Sequence, residues 1–203
     1  MTLSVHLGDV DPLGGFVWGA DPATLQLIPK FWSKDRRGGY LAADILVLGA
    51  QAHLWDTLSW LRRPVEVIGE HGQEVWAGYV NEVEITTGSG VQFTVSLDGM
   101  ANKVAVAYAY ATASGGFDRG TSDWAQDDAS VRRYGVKEYL HIMGEGESGD
   151  ADTVRTKILT ATAKPQLKRT LQGNGTIQAK LLCVGWAESL KWRKWKREST
   201  RIE

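Results

Sequence analysis

Over most of the first hundred positions, apolar and polar residues alternate with period two, the pattern of half-buried strands. In MTLSVHLG (1–8), Leu3, Val5 and Leu7 share one face. The turn-rich DVDPLGG follows, and TLQLIPKFW (24–32) resumes an extended pattern. Pro29 there demands an edge position or a bulge, because it has no N–H to give a ladder. KDRRGGY (34–40) is a charged loop leading into the next extended run, LAADILVL (41–48). RPVEVIGEHGQEVWAGYVNEVEI (63–85) reads as a hairpin. Val65 and Val67 alternate with Glu66, GEHGQ turns, and Val75, Ala77 and Tyr79 return along one face, with Trp76 and Val80 near the other. TTGSG (86–90) turns again into VQFTVSL (91–97), where Val91, Phe93, Val95 and Leu97 are in phase. One segment changes period: in AQAHLWDTLSWL (50–61), Leu54, Trp55, Leu58 and Leu61 recur at helical spacing, predicting a short amphipathic helix.

The second half is less regular. VAVAYAYA (104–111) is extended, and the polar, glycine-bearing TASGGFDRGTSDWAQDD (112–128) is expected as a mobile loop or extended arm. DDASVRRYG (127–135) predicts one or two helical turns, with an aspartate N-cap and Gly135 as the stop. VKEYLHIM (136–143) predicts a strand and GEGESGD an acidic loop. DADTVRTKILTATAKP predicts a helix over about 150–164, capped by Asp150, striped by Val154, Ile158 and Ala161, and ended by Pro165. GNGTIQAKLLCVGW (173–186) turns at Asn174–Gly175 and returns as a strand buried on both faces. Beyond Gly185–Trp186, Leu190 and Trp192 are expected two apart on one strand face. The sum is a mainly β chain with two or three short helices. Its parts are a barrel-like subdomain over 1–100 with one inserted helix, and a second β-rich subdomain over 101–203.

Composition narrows the chemistry. The 203 residues, 43% hydrophobic, are enough to build a proper core, and the formal charge of -1 argues against a dedicated nucleic-acid binder. A basic, tryptophan-bearing end (Lys191, Arg193, Lys194, Lys196, Arg197, Arg201) could track phosphates, but a solvated end or a cationic patch for a protein partner accounts for it better. Cys183 is the only cysteine, so the chain has no intrachain disulfide and no cysteine metal site; within LLCVGW it reads as a buried hydrophobe. His6, His53, His71 and His141 are dispersed, and no nucleophile elbow, phosphate loop or dinucleotide fingerprint is present. No catalytic residue, metal site or cofactor is expected. Nine tryptophans raise carbohydrate binding as an alternative, with Trp18 and Trp124, both in loops, as its candidates. No signal peptide is visible, and no stretch approaches the roughly 20 apolar residues of a membrane span.

Five segments in order carry a resemblance. They are RRGGYLAADILV; RRPVEVIGEHGQEVWAGYVNEVEI with its V-W-x-G-x-V; VSLDGMANKVAVAY; TSDWAQDDASVRRYGVKEY; and GWAESLKW, a G-W-x-x-[ST]-L-x-W pattern. Together, over most of residues 36–195, they resemble tail-hub and minor tail proteins of tailed bacteriophages. The resemblance implies an α+β tail-hub-like architecture of barrel-like β domains. It implies a homo-oligomeric ring at the tail tip or baseplate that continues the tail tube, made in the host cytoplasm, with no catalysis in this part. Tail-tube, distal-tail, tape-measure and further hub proteins would be its partners. A distal-tail or tube-type subunit is the near alternative, and at 203 residues the chain would supply only the ring-forming portion of a full hub. Independently of the motifs, position and side-chain type pick out subunit contacts. These are Arg119, Trp124, Arg132, Arg133 and Tyr134 in the central arm, and Trp192, Arg193, Trp195 and Lys196 at the end.

Overall fold

The computed structural model describes residues 3–10, 16–18, 24–36, 38–171 and 175–193. Asn174, Trp195 and Lys196 lie outside the described residues, as do Lys194, Arg197 and Arg201. The chain is mainly β, with short helices and a curled half-barrel sheet.

Nine strands make the large sheet: β1 (Ser4–Val10), β2 (Phe16–Trp18), β3 (Leu25–Lys34), β4 (Tyr40–Gly49), β5 (Pro64–Ile68), β6 (Glu74–Thr86), β7 (Val91–Ser96), β12 (Leu167–Leu171) and β13 (Gln178–Gly185). Strand β6 is its spine. One edge of β6 pairs with β13 from Thr86 to Gly78. The other is shared, β5 taking its first half and β7 its second. The sheet therefore forks, through β5 to β1 and β2, and through β7 to β12; beyond β13 it continues to β4 and β3. The β6–β13 register slips between Leu182 and Cys183, leaving Asn81 as the extra residue of a bulge, a device that adds local bend. Asn81 is buried and spends its side chain on Asp98 Oδ1 at 2.9 Å. Pro29 meets both of its expected outcomes, since β3 ends the sheet path and its register shifts between Pro29 and Phe31.

The inner face gathers Val5, Leu7, Ile45, Val47, Val65, Val67, Trp76, Val80, Val83, Ile85 and Leu181 into one buried cluster, while Tyr79, in register with Val184, is buried on the opposite face. The segment at 50–61 does cover it, through Leu54, Trp60 and Leu61. Only Gln51–Leu54 (α1) is α-helical, however, and Trp55–Trp60 is a 3-10 turn. Thr57 donates to Leu54 O at 2.6 Å and Ser59 to Asp56 O at 2.7 Å. Such local side-chain bonds compete with regular helix propagation.

The small sheet is centred on β8 (Lys103–Ala111). The parallel strand β11 (Glu138–Glu145) lies on one side, and β9 (Phe117–Thr121) and β10 (Ala125–Gln126) share the other. The stretch at 112–128, expected as a mobile loop or extended arm, instead forms two strands paired with β8, closed by a turn in which Thr112 N donates to Gly116 O at 2.8 Å and the Thr112 and Ser114 hydroxyls share a hydrogen bond at 3.0 Å. Helix α2 (Asp128–Tyr134) has the expected ends: Asp127 accepts from Ser130 N at 2.8 Å, and Gly135 follows at φ 83°. Helix α3 (Ser148–Thr162) packs on β8 and starts earlier than expected. Its N-cap is Glu147, and Asp150 is the reciprocal member of the capping box. Ala161 is exposed, and the packed face carries Ala151, Val154 and Ile158.

Two further differences matter. Strand β12 was not anticipated, and all five of its residues are exposed. Strands β12 and β13 return the chain to the large sheet, so residues 101–203 do not make a sheet of their own. Trp186–Trp192 is a 3-10 turn rather than a strand, which separates Leu190, 63% exposed, from Trp192, which is buried.

Candidate interaction surface

Two glycines set the geometry where the sheets meet. Gly78 of V-W-x-G-x-V and Gly185 of G-W-x-x-[ST]-L-x-W are cross-strand partners in register. A Cβ on Gly185 would lie 1.8 Å from Tyr40 O, and one on Gly78 would lie 2.2 Å from Val184 O. Only glycine permits this approach. It lets the chain turn straight into Trp186–Trp192, laying both tryptophans against Tyr79 with ring centroids 5.3 and 5.7 Å away.

Arg62 fills the space between these rings. Its guanidinium carbon sits 4.0 Å from the Tyr79 centroid, 4.7 Å from Trp192 and 5.4 Å from Trp186. Burial pulls its pKa down, but an arginine stays charged, and the ring faces supply the compensating field. Its backbone is left-handed at φ 71°, held there by Arg62 N donating to Val80 O at 2.8 Å. Lys137 adds a second cation 5.1 Å from the Trp192 ring, while its ammonium donates to Leu97 O and Asp98 O. Burial also lowers the Lys137 pKa. Arg62, Lys137 and Trp192 thereby tie the large sheet to the start of β11.

Asn102 completes the joint. It is fully buried, donates to Gly135 O at 2.8 Å and Ser130 Oγ at 3.2 Å, and accepts from Lys137 N at 2.7 Å. One side chain thus pins α2 and the approach to β11 together.

The expected contact residues disperse. Trp192 is consumed by the joint, and its burial removes it as a surface anchor. Arg133 donates to Ser59 O at 2.6 Å, an intrachain brace, and Tyr134 is half-buried against the large core. Trp124 is half-buried, with Lys103 Nζ 5.3 Å from its ring. Arg119, Arg132 and Arg193 are exposed. Trp18 is 46% exposed at the end of β2 of the large sheet, whereas Trp124 lies in the link before β10 of the small sheet.

Large apolar side chains also face outward on two strand edges. Among the described residues β12 pairs with β7 alone and β11 with β8 alone. Leu167 and Leu171 of β12 are 56% and 78% exposed, Ile142 of β11 is 79% exposed, and Tyr139 and Leu140 of the same strand are exposed as well. Sequence reasoning missed these residues because Leu167 and Leu171 sit at the ends of a short charged run and Leu140 and Ile142 in a segment that read as a strand; neither pair shows its exposure without the folded sheets. A cleft of about 800 Å³ opens beside the small sheet, lined by Tyr108, Tyr110, Phe117, Glu145 and Glu147. Gly120 lies under the Tyr108 ring, and Tyr110 donates to Asp118 Oδ2 at 3.2 Å, so both rings are held.

Titratable groups otherwise serve packing. Burial, with the Asp44 charge nearby, pushes the Cys183 thiol far up, away from thiolate reactivity. Among the described residues, no group of three or more His, Cys, Asp or Glu side chains is placed to hold a metal ion. No helix of the described residues is long and apolar enough to cross a membrane. Comparison with protein-family models, curated proteins and solved structures finds no match to this chain.

Proposed function

We propose that the chain is a structural subunit of a bacteriophage tail tip, part of a hub or baseplate ring that continues the tail tube. The single observation that carries an assembly role is β12, a strand with no buried residue, ending a curled sheet and exposing Leu167 and Leu171. An open edge with exposed leucines is a template for another chain's strand, and Lys168 and Arg169 on it oppose pairing with a like edge. The tail assignment itself rests on the ordered motifs, and Gly78 and Gly185 give two of those motifs one physical purpose. The proposed role involves no catalysis, and its partners are further copies and neighbouring tail proteins, with a distal-tail or tube-type position as the variant of the same role. Mass spectrometry of purified tailed particles that encode the chain tests this. The chain should be present in several copies per particle, beside tail-tube and tape-measure proteins; its absence from particles would overturn the reading.

A second reading is carbohydrate binding at the Tyr108–Tyr110 cleft, in place of Trp18 and Trp124. Fixed aromatic faces beside Glu145 and Glu147 suit stacking and hydroxyl recognition. A glycan-array signal abolished by Tyr110→Ala would support this second reading, and a signal unchanged by that substitution would remove it.

A further inference from the structure

Among the sheet edges of the described residues, β11 and β12 carry the most exposed apolar side chains and differ in charge, and that difference selects how copies meet. Strand β12 reads LKRTL, with Lys168 and Arg169 between its leucines. Strand β11 reads EYLHIMGE, with Glu138 and Glu145 at its ends; Glu138 is paired with Lys103 at 3.0 Å, so Glu145 carries the outward negative charge.

Self-pairing is penalised at β12, where an antiparallel contact with full overlap sets Arg169 opposite Arg169 of the other copy. Like charges directly opposite one another destabilise a strand pair. The matching β11–β11 contact sets Glu145 opposite Glu138, which Lys103 already holds at 3.0 Å, so no opposite charge favours a second copy of that strand. A β11–β12 contact instead brings basic residues to an acidic strand and covers Leu167 and Leu171 with Leu140 and Ile142.

We infer that β12 of one copy adds to the open edge of β11 of the next, a head-to-tail contact. Such a contact uses two different surfaces, so it propagates and closes as a ring when the rotation allows. This inference rests on the assembly reading above and names its interface. Main-chain bonds across the two edges would supply affinity, and the charges would supply register and polarity.

The test uses the full chain in three forms: wild type, a β12 variant (Lys168→Glu with Arg169→Glu) and a β11 variant (Ile142→Lys with Glu145→Lys). All four positions are exposed, and circular dichroism with thermal unfolding checks each fold. Sedimentation velocity should show wild-type oligomers, each variant monomeric alone, and oligomers restored when the two variants are mixed. Mixing restores assembly because an intact β11 meets an intact β12 at one contact, and the exchanged charges, basic on β11 and acidic on β12, complement each other at the next. Wild-type oligomers left unchanged by both variants would overturn the β11–β12 contact while leaving assembly standing. Self-association of either variant alone would also overturn it, in favour of an isologous pair. A wild type that stays monomeric at every concentration would overturn the self-assembly reading together with this contact.

Discussion

The guanidinium of Arg62 lies 4.0 Å from the Tyr79 ring centroid, buried between that ring and two tryptophans contributed by the far end of the chain. A charge in this position costs solvation and backbone strain together. It persists because three ring faces and the Arg62–Val80 backbone bond fix it. Replacing Arg62 with Ala should destabilise the fold by about 3 kcal/mol, combining lost packing and cation–π attraction. Arg62→Gly should cost about 1 kcal/mol less than Ala, since glycine accepts the left-handed φ freely. Urea unfolding of the two variants measures both differences.

Gly185 is predicted to tolerate no side chain. Gly185→Ala forces the Tyr40 carbonyl away, opening the β4–β13 ladder, and should cost about 3 kcal/mol, at the upper end of overpacking penalties. Gly99, where an added Cβ would meet nothing, is the control, and its alanine variant should unfold close to wild type. Thermal melts of the pair decide whether the close approach is as tight as described.

Asn102→Ala should cost about 3 kcal/mol, because Lys137 N and Gly135 O lose their buried partner at once. Hydrogen exchange should then quicken in α2 and β11 while β6 and β13 keep their protection. Equal loosening of both sheets would show that Asn102 is not specific to the joint.

Alkaline pH offers a separate probe. Burial raises the Tyr79 hydroxyl from 10.0 to about 12, against the opposing pull of Arg62. Between these values the unfolded chain loses this proton and the folded chain keeps it, so Tyr79's contribution to stability falls as pH rises from 10 toward 12. Lys137 runs the other way: its folded pKa lies below 10.5, so its burial penalty is relieved as pH climbs from that lowered value to 10.5. Tyr79→Phe should flatten the loss above pH 10 in a pH series of urea midpoints. An unchanged slope would contradict the burial of this hydroxyl.

Much of the large sheet was legible because its strands bury one face and show it as strict alternation. Val5 with Leu7, Val65 with Val67, and Val91 to Leu97 give the pattern openly. The α2 caps were legible for the same reason, each signal being local to a few residues. What escaped depends on distant partners. β9 and β12 carry charges on exposed edges, so neither shows a buried face, and only pairing to β8 and β7 makes them strands. Trp192 resembled a surface anchor because Lys191 and Arg193 flank it, whereas the cations that hold it, Arg62 and Lys137, come from elsewhere in the chain. The glycines of the two motifs stood in the sequence only as pattern positions, and their close approach and mutual register needed the folded sheet.

Cryo-electron microscopy of the tail tip of particles that encode this chain tests the central claim most directly. The account predicts a ring of copies at the tip, with β12 of each subunit continuing the small sheet of its neighbour through β11. Tip density built entirely from other proteins would contradict it.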